Sequence, residues 1–426
     1  MKKTAFAIIS LMVLALPCVY WVRGLTPDSS VGGLLYDLGR LCTLAAFVLI
    51  FFQYLLSARV KWIERGIGLD RMLMLHKRSG LVVLGLVLGH PLLMALGERL
   101  QGFSSPFHFF KALGLVTLLI LVFSAGAALL YERLRLKYAT WKNLHKAGYA
   151  LYPLAFVHSF LIGGTVQKGP VRVLWIVLLI LFAFILGHKA LRRWSLRRRP
   201  FSVAEVRRES PSVCTVFFDG DHGEYKPGQF MILQLKRDGV VSESHPFTIS
   251  SSPTEEKLSV TIKEVGDFTS TVKRTRPSEA AYIDMPYGVF SFLNSPADAF
   301  VFIAGGIGIT PFMSMLRYMN DRKMRHKVLL LWANRTEEDI LFKEELAAMG
   351  QENPSLKIVH VLSRQDSWQG EKGHVDRERL QKVVRNYGAA KFFICGPPAM
   401  MGAVKSALRD LGVPSRRILM ERFALR

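Results

Sequence analysis

His76 and His90 stand 14 residues apart in one long apolar stretch, and His145 and His158 stand 13 apart in another. At about 1.5 Å of rise per helical residue each pair spans roughly 20 Å, most of a ~30 Å hydrocarbon core. If the two stretches run the same way, the histidines meet as an inner pair and an outer pair. Two imidazoles facing one another inside lipid are what an iron porphyrin takes as axial ligands, and no CxxCH attachment motif is present, so the pattern predicts two haem b groups. Zinc fits less well, because two histidines per level supply half of a tetrahedral shell and no Cys, Asp or Glu lies at either depth. A lone intramembrane histidine is more often a polar contact between helices, but four at matched depths favour ligation.

Helical phase argues both ways. Fourteen residues fall about 40° short of four turns, so His76 and His90 share a face. Thirteen fall about 140° short, so a straight helix cannot turn both His145 and His158 toward one partner. Gly148 and Pro153 lie between them and supply a distortion. With both axial positions filled, an acceptor takes electrons at the outer edge, without binding iron. Arg40, near the same outer level, reads either as a snorkelling or paired arginine or as the partner of a haem propionate or an anionic product.

Six apolar stretches are long enough to position these residues across a bilayer: 4–22, 34–57, 74–96, 106–131, 141–163 and 170–191. They predict an all-α six-helix membrane bundle over 1–198. The first follows Lys2 and Lys3 as a signal peptide would, but no small-residue cleavage site follows and Pro17 precedes Cys18, so it reads as a retained span. The formal charge of +23 sits in connections beside apolar stretches, with no nucleic-acid-binding motif, which excludes nucleic acid as a partner. Lys2–Lys3, the run from Arg59 to Arg78, the run from Arg133 to Lys146, and Arg192 to Arg199 all fall on one side. The positive-inside rule puts that side, both termini and everything after residue 192 in the cytoplasm. The four cysteines form no CxxC pair.

Beyond the basic junction the pattern changes to short alternating runs. Residues 199–295 read as a small antiparallel β-barrel and 296–426 as an α/β domain. The barrel carries Tyr225-Lys226-Pro227-Gly228-Gln229-Phe230, then His245-Pro246-Phe247-Thr248-Ile249-Ser250-Ser251, whose hydroxyls and backbone suit an isoalloxazine edge. Lys263, Gly266, Thr269 and Ser270 offer a cation, a close approach and hydroxyls to a pyrophosphate. In the α/β part, a strand runs into Gly305-Gly306-Ile307-Gly308-Ile309-Thr310-Pro311, where the glycines admit phosphate, Thr310 caps a helix and Pro311 suits its first turn. A second strand ends at Cys395-Gly396-Pro397-Pro398. Arg335 and Arg364 each follow a strand and suit an adenosine 2′-phosphate, favouring NADPH over NADH.

Together these motifs resemble the NADPH oxidase and ferric reductase superfamily, with a ferredoxin–NADP reductase-like cytoplasmic half, over almost the whole chain. Met285-Pro286-Tyr287-Gly288 resembles that superfamily's GPYG turn with Met in the first place. The resemblance implies that His76 and His145 ligate an inner haem and His90 and His158 an outer one. It implies that Thr248 addresses the flavin N5 edge, that Cys395 sits by the nicotinamide, and that Phe423 stacks on FAD; a core phenylalanine is the alternative for Phe423. An arginine comparable to Arg40 occurs in NADPH oxidases, whereas the second outer histidine of animal oxidases is Met94 here. NADPH gives up two electrons at once and haem iron accepts one, so FAD is the converter. The acceptor expected first is O2, giving superoxide, then a ferric or cupric chelate, then a periplasmic protein or quinone; a haem-bearing sensor or transporter is the reading from another class. No EF-hand or long regulatory extension appears, so a bacterial inner-membrane enzyme without an obligatory protein activator is expected.

Overall fold

Two units make up the chain, residues 1–193 and 194–426. The structure, a computed structural model, describes residues 2–25, 30–131, 133–136 and 138–422. The first unit is helical: α1 (Lys2–Val22), α2 (Val31–Ser57), α3 (Lys61–Ile67), α4 (Leu69–Leu100), α5 (Phe109–Leu130), α6 (Tyr138–Lys146), α7 (Gly148–Ile162) and α8 (Gly169–Arg198, which continues into the second unit). Among the described residues α1, α2, α4, α5 and α8 are long and apolar enough to cross a membrane. Leu92, Phe123 and Phe184 stand 70–75% exposed on three of them, as lipid-facing side chains do.

The expected fifth span, 141–163, is not one helix. It breaks at Ala147, so His145 lies on α6 and His158 on α7. Ala147 N bonds Leu144 O, and Ala150 N bonds Ala147 O, each closing a tight three-residue step instead of the four-residue step of an α-helix. The Tyr54 hydroxyl of α2 donates to the Gly148 carbonyl at this point. The break removes the phase conflict, because each histidine is aimed by its own helix.

Small residues let α2 and α4 approach closely. A Cβ on Gly97 would lie 2.7 Å from Tyr36 N and 2.8 Å from Gly32 O, and one on Gly39 would lie 2.7 Å from Met94 Cγ. This is the close backbone packing that glycines allow between membrane helices. Elsewhere the core is aromatic: Phe47 of α2 stacks between Tyr152 of α7 (4.7 Å) and Trp175 of α8 (4.6 Å).

The second unit begins with β1 (Phe201–Ser210), β2 (Val213–Asp219), β3 (Phe230–Arg237), β4 (Val240–Val241), β5 (His245–Thr248), β6 (Leu258–Lys263), α9 (Asp267–Thr271) and β7 (Ala280–Tyr287). These strands pair antiparallel in the order β4-β3-β7-β1-β2-β6, with β5 also on β3. A bridge between Ile249 and Val260 brings the chain after β5 against β6. The inward alternation of β7 fits a sheet with one buried face.

The remainder alternates strands and helices: β8 (Ala299–Gly305), α10 (Thr310–Asp321), β9 (Lys327–Asn334), α11 (Lys343–Glu352), β10 (Leu356–Leu362), β11 (Glu371–Lys372), α12 (Arg377–Asn386), β12 (Lys391–Cys395), α13 (Pro398–Asp410) and β13 (Ile418–Glu421). The strands are parallel in the order β11-β10-β9-β8-β12-β13. β8 is buried along nearly its whole length, the reading of a strand covered by helices on both faces. Chain direction across the sheet reverses between β8 and β12, which is where such folds bind ligands.

Candidate redox site

The two histidine pairs meet as their spacing requires. The rings of His76 and His145 lie 6.0 Å apart between centroids, at 80° to each other. Those of His90 and His158 lie 6.5 Å apart, at 76°. A metal held by two opposed imidazole nitrogens at ~2 Å each, with each nitrogen ~1.1 Å from its ring centre, separates the centroids by about 6.2 Å. Both pairs match that distance. Among the described residues, no group of three or more His, Cys, Asp or Glu is placed to hold a metal, so neither pair is completed into a zinc-type shell.

The other ring nitrogens are all engaged. His76 Nδ1 lies 3.2 Å from Gln53 O, His90 Nδ1 lies 3.1 Å from Gly39 O, and His158 Nδ1 lies 2.7 Å from Phe110 O. A carbonyl only accepts, so the Nδ1 atoms of His90 and His158 carry the proton and Nε2 keeps its lone pair, while His76 Nδ1 also lies 2.7 Å from the Gln53 side-chain amide. His145 Nδ1 lies 3.1 Å from Ser124 Oγ and 3.4 Å from Ser124 O. Two imidazoles at this separation leave room for a cation between them, which a free ring lone pair on each side would satisfy. Histidines that bind metals hold their second nitrogen in this way.

The acceptors show a spacing that sequence reasoning missed. Gln53 and Gly39 on α2 are 14 residues apart, as are Ser124 and Phe110 on α5. Each helix thus runs antiparallel to its histidine partner and serves both levels. Gly39 brings its carbonyl to His90 because α2 and α4 pack so closely. A Cβ on Gly114 would lie 2.5 Å from His158 Cε1, so that glycine makes room for the ring. Main-chain carbonyls leave no side-chain signature, but a glycine one turn from a candidate ligand's level was a usable sign.

Arg40 is a paired arginine. Its Nη1 donates to Asp37 Oδ1 at 2.8 Å and to Gly24 O at 3.2 Å, and its Nη2 to Thr165 Oγ1 at 2.7 Å. Asp37 is only 3% exposed, and its role was not read from the sequence.

In the second unit Thr248 ends β5 opposite Phe230 and is buried. Pro246 pairs with Ile232 in the same ladder. His245 stacks on Phe268 at 4.0 Å and 14°, with Phe247 beside them. Ser250 does not present a hydroxyl outward: it is fully buried and joins Ser259 at 3.0 Å and Thr261 at 3.1 Å. Its carbonyl instead accepts Arg317 Nη1 at 2.7 Å, while Ser314 donates to Ser251 O at 2.6 Å. Both donors lie on α10, and Glu345 holds the Arg317 guanidinium with two bonds of 2.6 and 2.8 Å. Sequence reasoning missed this pin between the two sheets.

The Lys263–Ser270 segment is partly committed to itself. Thr269 Oγ1 accepts Val265 N and Gly266 N, both at 2.9 Å, and Ser270 donates to Asp267 O. Thr269 therefore shapes the turn more than it faces a ligand. Lys263 Nζ lies 3.9 Å from Asp339.

Two glycine turns meet backbone to backbone at the switch point. A Cβ on Gly308 would lie 2.3 Å from Cys395 O, and one on Gly396 would lie 3.0 Å from Gly305 Cα. A Cβ on Gly305 would lie 2.8 Å from Pro397 Cδ. Gly306, at φ +50°, is held by the Trp332 indole N–H at 3.0 Å. Thr310 does not cap α10. It is the helix's first residue and donates to Ile307 O at 3.2 Å, because a tight turn from Gly306 to Ile309 already leads into the helix; Pro311 does sit in the first turn. Cys395 is fully buried, and burial pushes its thiol up, so it stays protonated at neutral pH. Arg335 and Arg364 come together: Arg364 N donates to Arg335 O at 2.8 Å across neighbouring strand ends. Arg335 also pairs with Asp339 at 3.1 Å. Burial opposes ionisation of Asp339, but the Arg335 hydrogen bond and the charge of Lys263 hold its carboxyl below the usual range. Phe423 lies outside the described residues.

Comparison with known proteins agrees with this layout. Residues 42–156 match the ferric reductase like transmembrane component, 221–310 an FAD-binding domain, and 302–406 the oxidoreductase NAD-binding domain. The chain is 32% identical over 242 residues to the glycine betaine monooxygenase reductase subunit of Pseudomonas aeruginosa, covering 54% of this chain and 65% of that protein. It is 37% identical over 153 residues to NADH-cytochrome b5 reductase 1 of Debaryomyces hansenii, covering 35% and 54%. The chain thus spans less than two thirds of the length of these relatives. The solved FAD/NAD-binding domain of nitric oxide dioxygenase from Vibrio cholerae is 20% identical, with 53% of this chain and 98% of that chain covered and a TM-score of 0.47. The chain joins a ferric reductase like transmembrane component to FAD- and NAD-binding domains, the architecture of an NAD(P)H-dependent oxidoreductase.

Proposed function

We propose that this chain carries electrons from cytoplasmic NADPH across the inner (cell) membrane to an acceptor on the outer face, first O2 giving superoxide and second a ferric or cupric chelate. The observation that carries the proposal is the pair of opposed imidazoles at each of two levels, with every Nδ1 already engaged. In this reading residues 1–198 are the di-haem domain, 199–295 the flavin barrel and 296–426 the NADPH domain. His76 and His145 would hold the inner haem, His90 and His158 the outer. When bound, the flavin supplies conversion of a hydride's electron pair into single electrons, and haem iron supplies their transfer.

This chain's residues do the placing. Thr248, on a short strand fixed by β3, faces the flavin edge, with His245, Pro246, Phe247 and Ser250 setting that strand and its turn. Lys263 and Gly266 would receive the pyrophosphate on a turn that Thr269 and Ser270 hold in shape. Gly306 leaves open space for a dinucleotide, Gly305, Gly308, Gly396 and Pro397 let the two turns close on one another beside it, Thr310 and Pro311 start the helix beneath it, and protonated Cys395 lies at its floor. Arg335 and Arg364 would meet the 2′-phosphate. Arg40, held by Asp37, marks the outer level where the acceptor arrives. The charge of the connecting segments supports cytoplasmic termini.

Purified protein is expected to give two haems per flavin by pyridine haemochrome, with six-coordinate low-spin spectra. NADPH oxidation with O2 or ferric chelate, scored with superoxide dismutase, separates the acceptors; one haem or none per flavin would sink the proposal. A companion test uses Gly114→Ala. Its methyl would press on the His158 ring, so outer-haem absorbance should fall while the inner haem stays reducible by NADPH. Unchanged spectra would show that His158 is not where the outer haem binds.

A further inference from the structure

Three of the four histidines give Nδ1 a main-chain carbonyl, at 3.2, 3.1 and 2.7 Å. His145 differs. Its nearest acceptor is the Ser124 hydroxyl at 3.1 Å, with the Ser124 carbonyl at 3.4 Å. The same hydroxyl lies 3.4 Å from His145 O, so its proton has a place to go while its lone pair receives Nδ1–H. Ser124 is 7% exposed and sits on α5 in a stretch that is apolar on either side. A Cβ on Gly148, at the helix break, would lie 3.5 Å from the same oxygen. The hydroxyl is therefore built into the point where α5, α6 and α7 meet.

Hydrogen bonding from Nδ1–H raises the basicity of the ligating nitrogen and so stabilises the oxidised metal. A carbonyl acceptor belongs to the backbone and is the same whatever the side chain. At the inner level the Gln53 side-chain amide also lies 2.7 Å from His76 Nδ1, whereas both outer histidines rely on main-chain carbonyls, so Ser124 is the side-chain partner on the His145 side of the inner pair. We infer that Ser124 is a positioning residue that sets the donor strength of His145, and with it the reduction potential of the inner centre relative to the outer one. This rests on the two-haem reading.

The test is Ser124→Ala in the full-length protein, followed by spectropotentiometric titration. With the hydroxyl gone, only the longer contact to the carbonyl remains, and the inner midpoint rises while the outer stays. An increase of about tenfold in the share of electrons held at the inner centre corresponds to about 59 mV for one electron. Ser124→Thr, which keeps the hydroxyl, restores the wild-type midpoint. If alanine lowers haem content, Ser124→Cys keeps the volume with a poorer acceptor and shifts the inner midpoint the same way. Two bound haems with an unmoved or lowered inner midpoint, or equal shifts at both centres, overturn the inference. Wild-type protein that binds no second haem would instead sink the two-haem reading itself.

Discussion

Replacing His158 by leucine is expected to leave one haem per chain and to stop delivery of electrons to the acceptor, while NADPH still reduces the flavin and the inner centre. His158 contributes the α7 half of the outer pair, and the opposing His90 ring lies 6.5 Å away, so one imidazole alone remains there. Loss of a partner that only orients a ligand costs about 10–100-fold in affinity or activity, and loss of the ligand itself should exceed that. The mirror variant, His76→Leu, should behave differently. It empties the inner level, so NADPH should reduce the flavin and nothing beyond it. Haem counts by pyridine haemochrome and stopped-flow spectra at the flavin and haem bands read both outcomes. His158→Leu protein with two haems and normal acceptor reduction would remove the outer pair from the path.

The second large effect is expected at the paired arginines. A 2′-phosphate held by arginine gains charge-assisted hydrogen bonds worth about 1.5–3 kcal/mol, roughly tenfold or more in KM. Asp339 already engages Arg335, so a phosphate must compete for that guanidinium with a carboxylate held in its charged form. Arg364→Ala is therefore expected to raise the NADPH KM about tenfold or more, Arg335→Ala by less, and neither should change the NADH KM much. Steady-state kinetics with both nucleotides decide the matter. Equal losses with NADH and NADPH would show that the arginines support the strand ends and do not select the nucleotide.

Side-chain spacing made the histidine levels legible, because four rare polar groups in apolar stretches carry their depth with them. The phase of His145 and His158 even announced that one helix could not be regular, and the break at Ala147 is the answer. What the sequence hid is what backbone atoms do. Gly39 and Phe110 act through carbonyls that any residue would supply, Gln53 adds a side-chain amide beside His76, and Gly39 and Gly114 mark places where space is needed. Ser124 looked like one more small residue in an apolar run. In the second unit the motifs placed the turns, but hydroxyls assigned to a ligand or a helix cap went elsewhere: Thr269 to its own turn, Ser250 to Ser259 and Thr261, Thr310 to Ile307. Local acceptors are nearer to a serine or threonine than any cofactor is, and they win unless geometry removes them. The Arg317–Glu345 pin joins residues 28 apart to a turn 67 residues earlier, a link that no local pattern encodes.

The 14-residue rise along α4 has an electrical consequence. It separates the imidazole levels by about 21 Å, some two thirds of a ~30 Å hydrocarbon layer. A charge moved between them crosses a like fraction of the membrane voltage, about 1.5 kcal/mol per 100 mV, or roughly tenfold in the equilibrium between the levels. In the proposed orientation an interior-negative voltage pushes electrons outward, so an energised cell drives the transfer and each electron delivered discharges it a little. The chain would work as a voltage-assisted current leak, fastest in well-energised membranes and slowed by an ionophore that collapses the potential.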